Sequence, residues 1–264
     1  MALIRPAAIA ATKMSHAPVA PKNTQTERPD RLSSSFESPL TGLLRSGPAD
    51  DLNLPLLDVN FCGESMPLNQ DDVVSRWRHV FTLFRPHSAS IGDLRQRAEA
   101  LFPLIDSTLA AYGIPTDFRY IPLAESGLKA KALSPKGAGG YWQLMPGTAR
   151  ELGLRVGGKR DERFDARRAT VAACKYLRKL YDQFGSWSLV AAAYNVGPGY
   201  VKRQLQQQSD CDYYQMKLPR ETRYYLFRVL LYKELLSRPD DYSSFFNTAP
   251  LTAFWFGRGT LKAA

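Results

Sequence analysis

The sequence predicts an all-α globular domain from about residue 65 to 238 with flexible ends, and three observations carry that prediction. Several long segments repeat apolar side chains every three or four residues, the spacing of one helix face. Those segments are bounded by Gly, Pro, Ser and Thr at positions that start and stop helices. No convincing strand ladder and no internal repeat interrupts them.

A first helix is predicted around residues 70–84, before Arg85-Pro86 stops it. A stronger one runs from Asp93 to Tyr112, where Leu94, Ala98, Leu101, Ile105, Leu109 and Tyr112 form one buried stripe. Gly113-Ile114-Pro115 ends it. Residues 117–133 read as a short buried helix carrying Glu125, followed by the turn-dense loop Ser134-Pro135-Lys136-Gly137-Ala138-Gly139-Gly140. Another helix starts near Pro146-Gly147-Thr148. Thr170 can cap the next, whose apolar face is Val171, Cys174, Leu177, Leu180, Tyr181 and Phe184. Gly185 closes it, and Ser186 can cap a helix over Trp187–Tyr194 ahead of a Gly197-Pro198-Gly199 turn. A last long helix covers about Glu221–Leu236, ended by Arg238-Pro239. Residues 1–60 are rich in Pro, Ser, Thr and Asn without sustained periodicity and read as a linker-like tail; residues 241–264 form a second tail.

At 264 residues, with 44% hydrophobic and 23% charged residues, the chain can bury a core without staples. The net charge of +10 is localised: residues 1–60 balance 6 basic against 6 acidic side chains, and residues 61–264 hold 29 against 19. Such a domain is drawn to polyanions, whether nucleic acid, anionic lipid or cell wall. The basic residues are scattered rather than gathered on a nucleic-acid module, so no nucleic-acid partner is expected. Cys62, Cys174 and Cys211 match no zinc spacing and are expected to be small packing residues, with one bridge at most. No apolar run is long enough to span a bilayer. The start, Met1–Ala11, is a poor secretory signal because Arg5 and Pro6 break its apolar stretch.

Four segments carry candidate chemistry. Glu125 lies among Ile121, Pro122, Leu123, Ala124 and Leu128, and a carboxyl in apolar surroundings resists ionisation and can serve as a general acid. The simpler reading, a surface carboxylate paired with Lys129 at i+4, stays open on these residues alone. Gly137-Ala138-Gly139-Gly140-Tyr141-Trp142-Gln143 offers glycines that let backbone approach a ligand, two rings that can stack on sugars, and an amide. A loop with Trp142 in the core is the alternative. Ala191-Ala192-Ala193-Tyr194-Asn195 places a Tyr and an Asn at a helix end, where either a ligand contact or a C-cap fits. Leu218-Pro219-Arg220-Glu221-Thr222-Arg223-Tyr224-Tyr225 begins a helix whose tyrosines can face inward.

As an ordered set these motifs are far more specific than any one of them. Leu123-Ala124-Glu125-Ser126, Gly140-Tyr141-Trp142-Gln143, Ala192-Ala193-Tyr194-Asn195 and Pro219-Arg220-Glu221-Thr222-Arg223-Tyr224-Tyr225 resemble the catalytic domain of the soluble-type lytic transglycosylases, closest to the membrane-bound lytic murein transglycosylase D group. Phe61-Cys62-Gly63-Glu64 and the helices to Tyr112 look like a lead-in found in some members of that group. The resemblance implies a lysozyme-like (goose-type) helical domain with a sugar-binding cleft: residues 61–115 a helical lead-in packed on it, residues 116–240 the catalytic domain. It implies Glu125 as the catalytic residue, with Ser126, Gly140, Tyr141, Trp142, Gln143, Tyr194, Asn195 and Tyr225 binding substrate, Tyr225 near Glu125. Tyr141 is bulkier than the aliphatic residue common there.

The implied substrate is peptidoglycan, cut without metal or cofactor between N-acetylmuramic acid and N-acetylglucosamine to leave 1,6-anhydro ends. Ordinary glycosidases use two carboxylates. Here no Asp or Glu lies between Ser126 and Arg150, and the nearest recruits, Asp165 and Glu221, read more simply as helix-start residues. A hydrolytic muramidase or chitinase-like glycosidase and a non-catalytic wall-binding protein are the competing readings. The substrate places the protein in the periplasm or cell envelope, with peripheral association to membrane or wall compatible with its charge.

Overall fold

In the computed structural model the described residues are 58–158, 160–208 and 211–242. Both predicted tails fall almost wholly outside them. Eight α-helices are joined by 3-10 turns and preceded by one small hairpin: α1 Asp71–Phe84, α2 Ile91–Ala111, α3 Ile121–Ser126, α4 Pro146–Glu151, α5 Ala166–Phe184, α6 Trp187–Val196, α7 Pro198–Gln207 and α8 Arg220–Ser237. The all-α expectation holds for the described residues apart from that hairpin.

The long helices form where one face is apolar. In α2 the buried positions include Leu94, Ala98, Ile105 and Leu109, while Leu101 and Tyr112 are half-buried at the margins of the stripe. The helix continues through Pro103, which costs it one backbone hydrogen bond but not its packing. In α5 the buried face is rotated from the predicted one. Ala169, Thr170, Ala172, Ala173, Cys174, Tyr176, Leu177 and Leu180 point inward, whereas Val171, Tyr181 and Phe184 are half-buried. The helix also begins a turn earlier than predicted. Asp165, not Thr170, is its cap and accepts from the Arg168 amide at 2.9 Å. Thr170 lies inside, its hydroxyl donating to the Ala166 carbonyl at 2.7 Å.

Three further departures matter for the site. The helix expected over 117–133 is a 3-10 turn, Thr116–Tyr120, followed by the six-residue α3. Gly127 and Leu128 both adopt left-handed backbone (φ 59° and 56°), so the chain turns away directly after Glu125-Ser126. The Gly197-Pro198-Gly199 segment is a turn into α7 rather than a terminus, with Pro198 at the first helical position. And residues 60–65 form a hairpin of two two-residue strands, β1 Asn60–Phe61 and β2 Glu64–Ser65, paired antiparallel. Cys62 and Gly63 supply its turn with φ of 56° and 83°, the double left-handed geometry of a type I′ turn.

The helix that organises the rest is α8. It packs on α1, α3, α6 and the Thr116–Tyr120 turn, and it buries Tyr225, Leu226, Phe227, Val229, Leu230, Leu231, Tyr232 and Leu235. α6 is equally enclosed, between α5, α7 and α8, and its alanines 191–193 allow that close approach. The cysteines are free thiols. No helix among the described residues is long and apolar enough to cross a membrane.

Replacing the α5 cap, Asp165→Ala, should lower unfolding free energy by about 1 kcal/mol in urea titration, without shifting the denaturant slope.

Candidate active site

Glu125 ends up in the interior because α3 is enclosed on every side, with Ile121, Pro122, Leu123 and Ala124 leading it into the core. All six of its residues are buried, Glu125 at 2% exposure, while Lys129 lies outside the helix and is exposed. The carboxyl is met from α8: the Tyr225 hydroxyl donates to Glu125 Oε1 at 2.6 Å. These residues are one hundred positions apart in sequence, and both are fully enclosed. Burial above all, and then the neighbouring Glu125 charge, holds the Tyr225 hydroxyl well above the usual phenol range. It therefore stays protonated and remains a donor. The Tyr194 hydroxyl on α6 is also held well above the usual phenol range, by burial first and then by the Glu125 charge, and it donates to the Trp142 carbonyl at 2.6 Å.

The remaining positions are held by contacts of their own. The Ser126 hydroxyl lies 2.8 Å from the Tyr141 carbonyl and 3.0 Å from that of Pro122, tying α3 to the glycine loop. Gln143 has left-handed backbone (φ 47°), and its amide nitrogen donates to the carbonyls of Gly140 at 2.7 Å and Ala132 at 3.2 Å. Asn195 Oδ1 accepts from the Thr222 hydroxyl at 2.7 Å. Those bonds fix both amide orientations and leave Gln143 Oε1 and Asn195 Nδ2 buried without a protein partner. Unsatisfied buried polar atoms are rare, so an acceptor and a donor left open at two of the predicted positions mark places for a polar ligand or water. Tyr141 is the one ring of the predicted set that is half-exposed.

Trp142 and the glycines of the loop have duties within the chain itself. Trp142 has no exposure, and its indole nitrogen donates to Thr170 at 2.9 Å, so its ring belongs to the core and offers no face to a sugar. The glycines also serve the chain itself. A Cβ on Gly140 (φ 77°) would stand 1.9 Å from the Arg163 carbonyl oxygen, and one on Gly139 would stand 3.0 Å from the Arg163 guanidinium carbon. Contact with the Arg163 backbone by itself requires glycine at position 140.

Arg163 is the piece that the sequence reading missed. Its Nη1 donates to the carbonyls of Gly137 at 2.5 Å and Leu144 at 3.1 Å, bracing both ends of the loop. Asp161 pairs with it at 2.8 Å, and that hydrogen-bonded pairing holds the Asp161 carboxyl below the usual carboxylate range. Only a three-dimensional loop shows this; nothing in the local residues of 160–164 signals it. Thr222, within the Pro219–Tyr225 motif, is the residue that orients the Asn195 amide. The two carboxylates suggested as second catalytic groups have local helix duties: Asp165 caps α5, and Glu221 sits in the first turn of α8. Among the described residues no cluster of three or more His, Cys, Asp or Glu side chains could hold a metal ion.

Residues 104–217 match the Transglycosylase SLT domain family. The chain is 30% identical over 155 residues to membrane-bound lytic murein transglycosylase D of Escherichia coli, covering 57% of this chain and 34% of that protein. It is 31% identical over 156 residues to the soluble lytic murein transglycosylase of Escherichia coli, covering 53% of this chain and 24% of that one. Among solved structures, the 70-kDa soluble lytic transglycosylase of Escherichia coli aligns over 69% of this chain and 32% of its own, with 26% identity and a TM-score of 0.46. An inactive mutant of the lytic transglycosylase Slt from Pseudomonas aeruginosa aligns over 63% and 33%, with 22% identity and a TM-score of 0.45. Residues 104–217 are thus similar to the Transglycosylase SLT domain, and the chain is similar in sequence to lytic murein transglycosylases along part of their length. It spans about a third of the length of the transglycosylase D that it matches.

Gly140→Ala should destabilise the protein by at least ~2 kcal/mol in urea unfolding, because the added methyl meets backbone and the left-handed φ disfavours any side chain. Asp161 has a folded pKa below its unfolded one. It therefore contributes stability above the unfolded value of 3.8 that is lost as pH falls through the folded value. Asp161→Asn should flatten the stability–pH curve below about pH 4, measured by chemical unfolding at each pH.

Proposed function

We propose that this chain is a lytic murein transglycosylase that cuts peptidoglycan without water, with Glu125 as its single general acid and base. The observation that carries the reading is the buried Glu125 carboxyl with the Tyr225 hydroxyl 2.6 Å away. Burial disfavours a charged carboxylate and a donated hydrogen bond favours it, and a group that must release a proton in one step and take one in the next needs both influences.

The substrate is the glycan strand, cleaved between N-acetylmuramic acid and N-acetylglucosamine. Protonated Glu125 gives its proton to the bridging oxygen, and the bond from that oxygen to muramic C1 breaks. The substrate's own 2-acetamido oxygen bonds to C1 and carries the developing positive charge. Glu125, now a carboxylate, takes the proton of the C6 hydroxyl while O6 bonds to C1 and displaces the acetamido oxygen. A 1,6-anhydro ring closes and Glu125 is again protonated. Tyr225 supports the carboxylate between the two steps by donating to Oε1.

Ser126, Gly140, Gln143, Tyr194 and Asn195 shape the site in this reading, with Gln143 Oε1 and Asn195 Nδ2 available to a sugar's polar groups. Tyr141 is the ring offered for stacking; Trp142 supports it from the core. Residues 116–240 form the catalytic unit and residues 61–115 its lead-in. Because the substrate is the cell wall, the protein works in the periplasm or envelope, and its excess of basic residues favours peripheral adhesion to anionic wall or membrane.

Purified murein digested with the full chain should yield muramic ends lighter by one water than hydrolytic ends, read by mass spectrometry. Mainly reducing muramic ends would instead support a hydrolase, and no release at all a wall-binding protein. Glu125→Gln should lower turnover by at least about a thousandfold while leaving the unfolding midpoint near wild type. Near-full turnover in that variant would move the acid to another residue.

A further inference from the structure

We propose that the β1–β2 hairpin is a clamp that sets the geometry of the site, with Glu64 as a positioning residue acting through α6. The hairpin precedes the segment matched by the family, residues 104–217. It is hydrogen-bonded to α6, to the 3-10 turn that leads into α3, and to α8.

Glu64 stands at the N-terminus of α6. One carboxylate oxygen accepts from the Trp187 amide at 2.5 Å, and the other accepts from the Ser188 amide and the Ser186 hydroxyl, each at 2.9 Å. Tyr194 and Asn195 lie in the last turn of the same ten-residue helix. The hairpin turn holds a second element: the Cys62 amide donates to Asp117 Oδ2 at 2.7 Å, and Asp117 sits in the 3-10 turn that runs into α3 and Glu125. Lys233 of α8 completes the set. Its ammonium donates to Asp117 Oδ2 and to the Asn60 carbonyl, both at 2.7 Å, two turns beyond Tyr225 on the same helix. Apolar contact backs the polar one, with the Phe61 ring centroid 5.1 Å from Phe118 and Phe118 5.2 Å from Trp187.

Simple helix capping does not account for this arrangement. α6 already has its own cap in Ser186, which accepts from the Leu189 amide at 3.4 Å. Glu64 adds a charge-assisted hold on the two preceding amides from a residue more than one hundred and twenty positions away. A hairpin with two-residue strands has no stability of its own. Its shape therefore depends on the same contacts through which it fixes the axial position of α6 against α3 and α8. Displacing α6 moves Tyr194 and Asn195 relative to the Tyr225–Glu125 pair. Only the kinetic arm of the test below rests on the proposed activity.

The test compares full-length wild type, Glu64→Ala, Glu64→Gln and, as a control for lost stability, Asp165→Ala. Without substrate, hydrogen exchange read by mass spectrometry should accelerate about tenfold in residues 190–197 and 121–127 for Glu64→Ala. Glu64→Gln should behave similarly, because its amide nitrogen would face amide donors, and Asp165→Ala should leave both segments at wild-type rates. On murein, Glu64→Ala should lose about tenfold in kcat with KM within about twofold, a split that general destabilisation below the melting temperature does not produce. Faster exchange confined to residues 59–66 and 186–189 would overturn the proposal. So would the same acceleration in Asp165→Ala, or unchanged kcat in Glu64→Ala beside an active wild type. If wild type cuts no murein, the proposed function fails while the exchange data still decide the clamp.

Discussion

One carboxyl in a helical core is the constraint around which this domain is arranged. An ionisable group at 2% exposure is costly to enclose, and it persists only where hydrogen-bonding groups are brought to it from elsewhere in the chain. Here the donor comes from α8, which must lie at a fixed height against the very short α3 for a 2.6 Å bond to form. The packing of α8 on α1, α3 and α6 sets that height, and the left-handed pair Gly127-Leu128 turns the chain away before it can cover the site. The backbone strain in the described residues falls in the same places: the non-glycine positions of positive φ are Cys62, Leu128 and Gln143. One is in the hairpin and two are in the loops that border Glu125, as expected where geometry at a site is held by its surroundings.

The glycine loop shows how one residue type can meet two demands. Glycines beside aromatic residues suggest a backbone bared for a ligand, yet Gly139 and Gly140 are needed to let Arg163 and Phe164 close against them. Trp142 is likewise spent on the interior, through Thr170. What remains for a ligand is smaller and more polar: an open acceptor on Gln143, an open donor on Asn195 and the half-exposed Tyr141. The rigidity of the loop, braced by Arg163 and Asp161, is what allows those few groups to keep fixed positions.

Much of the fold was legible because long amphipathic helices announce themselves. α1, α2 and α5 each bury one periodic face, α8 is a long, mostly apolar run buried on all sides from Tyr225 to Tyr232, and the ends of these helices coincide with Pro, Gly or a capping side chain. The errors arose where local signals compete. Thr170 and Asp165 are both good caps, and tertiary burial of Thr170 against Trp142 decided between them. Pro198 between glycines reads as a turn, but a first-position Pro also starts a helix. Strands of two residues cannot show alternation at all. The site was legible only as an ordered set of motifs. Glu125 by itself resembled a surface partner of Lys129, and the Tyr225 contact spans a hundred residues that no local pattern connects. Arg163, Thr222 and the bonds of Glu64 are also long-range, which is why they emerged only with the fold.

If Glu125 acts as proposed, water takes no part in the cleavage, and digestion of murein in water enriched in oxygen-18 reads this at the new sugar end. The account predicts that new muramic ends carry no heavy oxygen, because O6 of the same sugar closes on C1. One heavy oxygen at each new muramic end would contradict it, and would require a second group at this site to activate water.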